Sequence, residues 1–364
     1  MLTSKSLHQR STVKAPMLEQ VDRDENNFGL LRLLLALQVA FTHSFFFVDG
    51  TATREPLVRA IHLSLADIAV NGFFLISGFL VTKSYFQSRT PFEYLGKRVL
   101  RIYPGYILAC AISLLIGAIA GGKFPTINFQ SISIASIKVL FFSGVHLDNA
   151  FAHVPFPGIN GSMWTIAYEF RCYLSLILLS YLGFFRSKYI VAGLVFVLLA
   201  ANCFLTGIPT QTRADWFFGN PAEDIRFLLF FLTGSGFYLL GDRVRYRLRY
   251  TLLSAITLLF LLQFKVLATS ALALLGGYVI FWLALQGPRG RFSRVFNETD
   301  LSYGFYLYAW PIGNLIVWFY PTIGVWQLLV VTTAISLVIA YVSWTRIEKP
   351  ALTLKRHLTA KHGF

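Results

Sequence analysis

Long apolar stretches recur along almost the whole chain, and they constrain its fold more than any other feature. Most are roughly 16–22 residues long, about the length that a helix needs to cross the ~30 Å hydrocarbon core of a bilayer. The chain has 364 residues, of which 55% are hydrophobic and only 13% are charged. Such a composition lies outside the range of water-soluble domains. The sequence therefore predicts an integral membrane protein.

The apolar stretches predict an all-α fold, a polytopic transmembrane helical bundle of about ten spans. They cover residues 28–48, 65–83, 102–120, 163–182, 188–206, 225–240, 250–263, 266–286, 302–320 and 323–345. A transmembrane domain at 28–345 would then lie between an N-terminal tail at 1–27 and a C-terminal tail at 346–364. The first 27 residues lack the apolar segment and cleavage site of a signal peptide, so we expect a cytosolic tail.

The distribution of positive charge predicts the orientation. A net charge of +15 would suit a nucleic-acid partner. However, 23 of the 32 lysines and arginines fall in segments that ten spans place on the side of the N-terminus. This is the positive-inside pattern, and attraction to anionic headgroups is the weaker alternative explanation. We therefore predict a multi-pass protein with both termini in the cytosol and no nucleic-acid partner, which reporter fusions at the two ends would test.

Two ionisable residues, Arg32 and His43, share the first predicted span. Eleven residues of helix return to nearly the same face and cover ~16 Å along the axis. A coenzyme A thioester has phosphates at one end and its reactive carbonyl at the end of a long arm, so its site needs cations and a distant base. Arg32 and His43 match that need. The alternative is that Arg32 extends to the cytosolic headgroups and His43 forms a hydrogen bond inside the bundle.

A second candidate group is Arg98 with Arg101, at the cytosolic side of the third span. Residues three apart share a helix face, so two guanidinium groups could bind one phosphate together. The alternative is an ordinary positive flank of a membrane helix.

The third group leads into the fourth predicted span, where Glu169 follows the segment 160–165. Counted from the outer ends of their spans, Glu169 and His43 lie at similar depths, ~8–10 Å, so the carboxylate could orient the imidazole. The alternative is an ion pair between Glu169 and an arginine. Asn160, Ser162 and Trp164 are candidates for contacting an acceptor, although Trp164 also suits the aromatic belt of a membrane interface.

Six short motifs follow one another in the chain. They are Arg32 with His43, Phe73–Leu80, Arg98 and Arg101 with Ile102-Tyr103-Pro104, Gly161–Thr165 with Glu169-Phe170, Ser302–Leu307, and Glu348-Lys349-Pro350. Together they resemble the acyltransferase-3 family of bacterial membrane enzymes. One family feature differs, because the chain reads Tyr308-Ala309-Trp310-Pro311 where many members carry a histidine.

The resemblance implies acyl-CoA bound from the cytosol and an acceptor hydroxyl approached from outside. It also implies the bacterial inner membrane, and members of the family typically O-acetylate surface polysaccharides and related glycans. Because only residues 346–364 follow the tenth span, we expect the stand-alone form of the family. We therefore predict an O-acetyltransferase of polysaccharide biosynthesis. It would move an acetyl or other short acyl group from acyl-CoA to a glycan, with no metal and no tightly bound cofactor. The alternative function is a glycolipid or solute transporter.

The predicted mechanism divides the candidates between two ends of one site. Arg98, Arg101 and Arg32 would hold the phosphates of the donor, and His43 would act as general base on the acceptor hydroxyl, oriented by Glu169. An acyl-histidine intermediate stays open as a variant.

Overall fold

The computed structural model describes residues 26–124, 129–205, 220–241, 243–288 and 290–354. Within these ranges the chain forms thirteen helices. They are α1 (Phe28–Asp49), α2 (Pro56–Ile61), α3 (Leu65–Phe86), α4 (Pro91–Ile119), α5 (Phe129–Leu140), α6 (Trp164–Tyr181), α7 (Lys188–Leu205), α8 (Pro221–Leu239), α9 (Leu248–Leu261), α10 (Lys265–Leu285), α11 (Arg291–Glu298), α12 (Ser302–Phe319) and α13 (Val325–Thr353).

Ten of these helices coincide with the ten predicted spans: α1, α3, α4, α6 to α10, α12 and α13. Five of them, α1, α3, α4, α10 and α13, are long and apolar enough to cross a membrane by length and composition. The all-α fold class is confirmed, and a multi-pass membrane bundle fits the described helices, whereas the orientation stays a prediction. Residues 1–25 and 355–364, which make up most of the predicted tails, lie outside the described residues.

Helix α4 begins eleven residues before the predicted span, at Pro91. Thr90 caps the helix, since its side chain accepts a hydrogen bond from the Glu93 amide, and Pro91 occupies the first turn, where its missing N–H has no cost. The capped start continues the helix through the basic segment on the cytosolic side of the predicted span. Arg98 and Arg101 therefore project from a regular helix rather than from a flanking loop.

Close backbone packing joins α3 to α8. A Cβ atom added at Gly78 would lie 1.9 Å from the carbonyl oxygen of Phe231, and one added at Gly234 would lie 2.1 Å from that of Leu75. Small residues at such crossings let two membrane helices approach closely. The contact fixes α3, whose residues 70–81 form one wall of the cavity described below.

Helix α13 continues beyond the predicted end at residue 345, through a π-helical turn at Trp344–Glu348 and on to Thr353. The wider turn places the Glu348 side chain in the protein interior, where only 2% of the residue is exposed. There Glu348 accepts a hydrogen bond from Ser343 at 2.9 Å. Turns of this kind are common at functional sites, because they redirect a side chain without ending the helix.

Candidate active site

A cavity of about 400 Å³ lies in the bundle, with lining residues from α1, α3, α4, α6, α12 and α13. Its apolar lining includes Phe28, Val70, Phe73, Phe74, Ile76, Leu80, Val81, Ile102, Ile166, Trp344 and Leu352. Five charged residues also line it: Arg32, Arg98, Arg101, Glu169 and Asp300. Three guanidinium groups against two carboxylates give the cavity an excess of positive charge if all five are ionised. It therefore suits a ligand with an anionic end and an uncharged body.

Asp300, which lies just before α12, joins two of the arginines. Its Oδ2 forms a salt bridge with Arg32 at 3.1 Å and a second, shorter one with Arg101. Its Oδ1 accepts a hydrogen bond from the Ser302 hydroxyl at 2.6 Å. Burial alone would raise the pKa of Asp300, but Arg101 and then Arg32 hold that pKa at about 2. The two arginines, from α1 and α4, are thus oriented by one carboxylate before any ligand binds.

Arg98 has different surroundings. It donates a hydrogen bond from Nη2 to the Ser84 hydroxyl at 2.9 Å, and its guanidinium lies 5.8 Å from the ring centroid of Tyr173. Its buried Nε has no hydrogen-bond partner, and no carboxylate forms a salt bridge with it in the described part of the chain. Of the three arginines that line the cavity, Arg98 is therefore the one whose charge is least neutralised by the protein.

Glu169 lines the same cavity from α6. Its Oε1 accepts hydrogen bonds from the Tyr173 hydroxyl at 2.5 Å and from the Ser77 hydroxyl at 3.2 Å. Tyr173 lies one turn further along the same helix, and Ser77 comes from α3. The partners of Glu169 are therefore neutral hydroxyl groups within the cavity wall, and neither His43 nor any arginine among the described residues forms a direct pair with it.

His43 lies outside the residues that line the cavity. Its ring packs against Trp310, with 4.6 Å between ring centroids and an angle of 78°, and against Phe47 at 6.1 Å. Its Nδ1 is buried and has no hydrogen-bond partner among the described residues. The imidazole is therefore held by aromatic packing.

The expected pairing of His43 with Glu169 does not form, because the two residues lie at different depths. Thr42, next to His43, accepts a hydrogen bond from the Ala66 amide of α3, whereas Glu169 binds Ser77 of the same helix. Eleven helical residues separate those two α3 positions, which corresponds to ~16 Å along the axis. The outer end of α6 therefore lies deeper in the bundle than the outer end of α1, and counting from the span ends could not show this.

A layer of side chains separates the cavity from His43. Tyr306 and Thr165 both line the cavity, and their hydroxyl groups form a hydrogen bond of 2.7 Å. Phe73 packs against Tyr306 with 6.0 Å between ring centroids. Trp310, which contacts His43, lies one helical turn beyond Tyr306 on α12. The arginines and the histidine are thus at opposite sides of this layer.

The three predicted acceptor residues have different surroundings. Asn160 donates hydrogen bonds to the Ser113 hydroxyl and the Leu307 carbonyl, and it caps the short turn at Gly161–Met163, so its amide has structural partners. Ser162 is buried, and its hydroxyl has no partner in the described part of the chain. Trp164 is 46% exposed, so of the three it is the one most open to an external ligand.

The chain was compared with known proteins. An acyltransferase domain model matches residues 25–345. The chain belongs to the acyltransferase-3 family. It is 29% identical to "Nodulation protein 10" of Rhizobium leguminosarum bv. viciae, over 95% of this chain and 98% of that protein. It is 27% identical to an "O-acetyl transferase" of Shigella phage Sf6, over 90% of this chain and 96% of that protein. No solved structure matches the chain.

Family membership makes the protein a membrane acyltransferase, which confirms the predicted enzyme class rather than the transporter alternative. The structure adds Asp300 and Glu348 to the candidate site, since they lie beside Arg101. Asp300 was recognisable in the sequence, because it is an acidic residue between a basic segment and an apolar span. Glu348 belongs to one of the motifs quoted above, but its contact with α4 depends on the π-helical turn.

Proposed function

We propose that this acyltransferase moves an acetyl or other short acyl group from coenzyme A to a hydroxyl group of a cell-surface or exported glycan, at the bacterial inner membrane. The observation that carries the donor assignment is the convergence of Arg32, Arg98 and Arg101 on one cavity with largely apolar walls. Guanidinium groups bind phosphate oxygens bidentately, and apolar walls suit a pantetheine arm. The O-acetyl group and the glycan acceptor are supported by the name of the phage relative and by the family resemblance.

In this proposal Arg98 makes the first contact with the phosphates, because no carboxylate among the described residues forms a salt bridge with it. Arg101, from the same helix as Arg98, and Arg32, from α1, line the same cavity and are already oriented by Asp300. Glu169, Tyr173 and Ser77 form a hydrogen-bonded group in the cavity wall, where they limit the space available to the arm of the donor.

His43 acts as the general base in the proposed reaction. Its imidazole takes the proton of the acceptor hydroxyl while that oxygen attacks the thioester carbonyl. The carbon–sulfur bond then breaks, and the proton passes to the departing coenzyme A thiolate, so that an ester and a thiol are the products. A positioned base of this kind contributes about 10²–10⁴-fold to a rate.

The reaction requires the layer between the cavity and His43 to open, because His43 does not line the cavity that would hold the donor. Breaking the Thr165–Tyr306 hydrogen bond and turning Phe73 aside would extend the cavity outward toward Trp310 and His43. Such gating motions occur in many enzymes that close around a substrate.

The purified protein in lipid nanodiscs tests the proposal. It is incubated with acetyl-CoA carrying a labelled acetyl group and with deacylated surface polysaccharide of the producing cell, and the product is analysed by mass spectrometry and NMR. The expected result is label in an ester on the polysaccharide together with one equivalent of free coenzyme A. In sealed proteoliposomes, acetyl-CoA that stays intact while the polysaccharide moves across the bilayer would point to transport instead.

A further inference from the structure

A group of aromatic and charged side chains lies at the N-terminal ends of α3, α6 and α8, outside the cavity. We call it the outer platform. It consists of Trp164 and Tyr168 of α6, Phe227 of α8, and the charged residues Asp67, Arg171, Glu223, Asp224 and Arg226. The predicted topology places these helix ends on the external side, where the acceptor arrives.

The aromatic part of the platform is one partly exposed tryptophan that packs against two buried rings. Trp164 contacts Tyr168 edge-on at 5.5 Å and Phe227 at 5.6 Å, measured between ring centroids. Tyr168 and Phe227 are themselves buried, whereas Trp164 is 46% exposed. Two buried rings thus hold one indole ring in place and leave part of its surface free for a ligand.

The charged part consists of carboxylates held by arginines. Asp224 forms a salt bridge of 3.0 Å with Arg171, whose guanidinium lies 4.0 Å from the ring centroid of Tyr168. Arg226 forms a salt bridge of 2.6 Å with Glu223 and a longer one of 3.9 Å with Asp67. The side chains of Asp67 and Asp224 remain 41% and 38% exposed. Oriented carboxylate oxygens that water can reach are strong acceptors for hydroxyl groups.

The charge of the outer platform limits the class of ligand that it can bind. Among the described residues of the platform, three carboxylates face two guanidinium groups, so these residues carry an excess of negative charge if all five are ionised, and they would repel a polyanion. An exposed indole beside hydroxyl acceptors instead matches a neutral sugar ring, which has an apolar C–H face and a rim of hydroxyl donors.

The platform also adjoins the proposed reaction site. Phe227, beneath Trp164, stacks on Phe74 with 4.2 Å between ring centroids and an angle of 11°. Phe74 also lines the cavity. So do Thr165 and Ile166, which follow Trp164 in α6. A ligand on the platform would therefore lie next to the cavity that is to hold the donor.

We infer that the outer platform is the binding subsite for an uncharged sugar residue of the acceptor glycan, with Trp164 stacking on the sugar ring and Asp224 and Asp67 accepting its hydroxyl groups. This inference rests on the proposed function, because it assigns the acceptor of that reaction to a surface. It makes Trp164 a ligand contact rather than an anchor in the membrane interface.

The test compares two tryptophans. Trp326 begins α13 beside Phe41, is 65% exposed, and lies at the same external side in the predicted topology. Short oligosaccharides are prepared from the deacylated surface polysaccharide and separated into neutral and anionic fractions. Their binding to the nanodisc-embedded protein is measured by calorimetry without donor, and acyl transfer is measured in parallel. The proteins are wild type, Trp164→Ala, Trp164→Phe, Asp224→Asn and Trp326→Ala.

We expect Trp164→Ala to raise the Kd and the acceptor KM for the neutral fraction roughly 5- to 10-fold, the effect of losing one aromatic contact. Trp164→Phe should restore part of the loss, and Asp224→Asn should raise the acceptor KM several-fold. Trp326→Ala should match the wild type. The kcat and the donor KM should be unchanged in all four variants. Equal effects of the two alanine variants, or tighter binding of the anionic fraction, would overturn the inference. Neutral oligosaccharide that binds through Trp164 without being acylated would instead contradict the proposed function alone.

Discussion

The indole ring of Trp310 lies edge-on against the imidazole ring of His43, with 4.6 Å between their centroids. Trp310 is itself fixed, since its Nε1 donates a hydrogen bond to the Gly158 carbonyl at 3.1 Å and its ring lies against Gly161, where an added Cβ would be 2.5 Å away. Aromatic packing thus orients His43, without a carboxylate partner in the described part of the chain. The chain therefore has a tryptophan, rather than a second histidine, beside its proposed base.

The first prediction concerns His43 as the general base. His43→Ala should lower the rate of acyl transfer by about 10²–10⁴-fold, because the acceptor hydroxyl loses its proton acceptor. Binding of labelled acetyl-CoA should be unchanged, because His43 does not line the cavity. A folded His43→Ala protein that transfers at the wild-type rate would remove His43 from the mechanism.

The matched comparison is Glu169→Gln. Glu169 lies ~16 Å from the level of His43 and is bonded to Tyr173 and Ser77. We therefore expect this variant to change the donor KM while the dependence of kcat on pH keeps its wild-type shape. A shifted pH profile would show that Glu169 and His43 are coupled after all.

The second prediction concerns the phosphate end of the cavity. Arg98→Ala should weaken acyl-CoA binding by about 10- to 100-fold, because a hydrogen bond to a charged group contributes roughly 1.5–3 kcal/mol. Arg98→Lys should recover only part of this, since an ammonium group lacks the bidentate geometry. The measurement is equilibrium binding of labelled acetyl-CoA to the purified variants.

Lys97→Ala is the control for the loss of one positive charge at the same place in α4. Lys97 does not line the cavity. Its ammonium group forms a salt bridge of 2.6 Å with Glu93. Its removal should leave donor binding within about 2-fold of the wild type, since Lys97 does not reach the cavity and Glu93 already neutralises its charge. Equal losses in Arg98→Ala and Lys97→Ala would mean that only the overall positive charge attracts the donor.

Most of the fold was predictable from the sequence, because ten of the thirteen described helices coincide with predicted apolar spans. It also indicated the donor end of the site, since Arg98 and Arg101 are three residues apart in one helix and their shared face follows from helical geometry. The depth of α6 relative to α1 follows instead from contacts between distant segments, such as Thr42 with Ala66 and Glu169 with Ser77. The predicted His43–Glu169 pair was wrong for that reason.

The salt bridge between Arg101 and Asp300 was not predictable in the same way. It joins residues 199 positions apart, and no periodicity or spacing relates them. The acidic residue was visible in the sequence, but its partners depended on how the start of α12 packs against α1 and α4. The role of Asp300 in orienting two arginines therefore came from the structure.

The third prediction is a pH dependence of stability from Glu55, which lies in the segment between α1 and α2. The residue is fully buried, and its Oε1 accepts a hydrogen bond from the Leu65 amide at 2.7 Å. Burial raises the pKa of Glu55 above its ordinary value of 4.5. Since the folded protein then holds the proton more tightly, the contribution to stability is full below about pH 4.5 and is lost as the pH rises through the raised pKa.

Glu55→Gln tests this prediction, because the amide oxygen can still accept the hydrogen bond from Leu65 but the side chain no longer titrates. The midpoint of thermal unfolding in detergent should fall less with rising pH, from about pH 4.5 upward, in the variant than in the wild type. Parallel pH curves for the two proteins would show that Glu55 does not titrate in this range.

The fourth prediction concerns the packing of α3 against α8, which supports one wall of the cavity. In Gly78→Ala the new methyl group would lie 1.9 Å from the Phe231 carbonyl oxygen, so the two helices must separate. Overpacking of this kind costs about 1–3 kcal/mol. Gly236→Ala in α8 is the matched control, because an added Cβ there has no atom within 4 Å, and replacing a helical glycine by alanine gains roughly 0.5–1 kcal/mol. Thermal unfolding in one detergent should therefore show a lowered midpoint for Gly78→Ala and an unchanged or raised midpoint for Gly236→Ala.

Acetyl-CoA binding should weaken only in the Gly78→Ala variant, because Phe74 and Ser77 of the cavity wall move with α3. If both variants unfold at the wild-type temperature, α3 and α8 do not pack as closely as described.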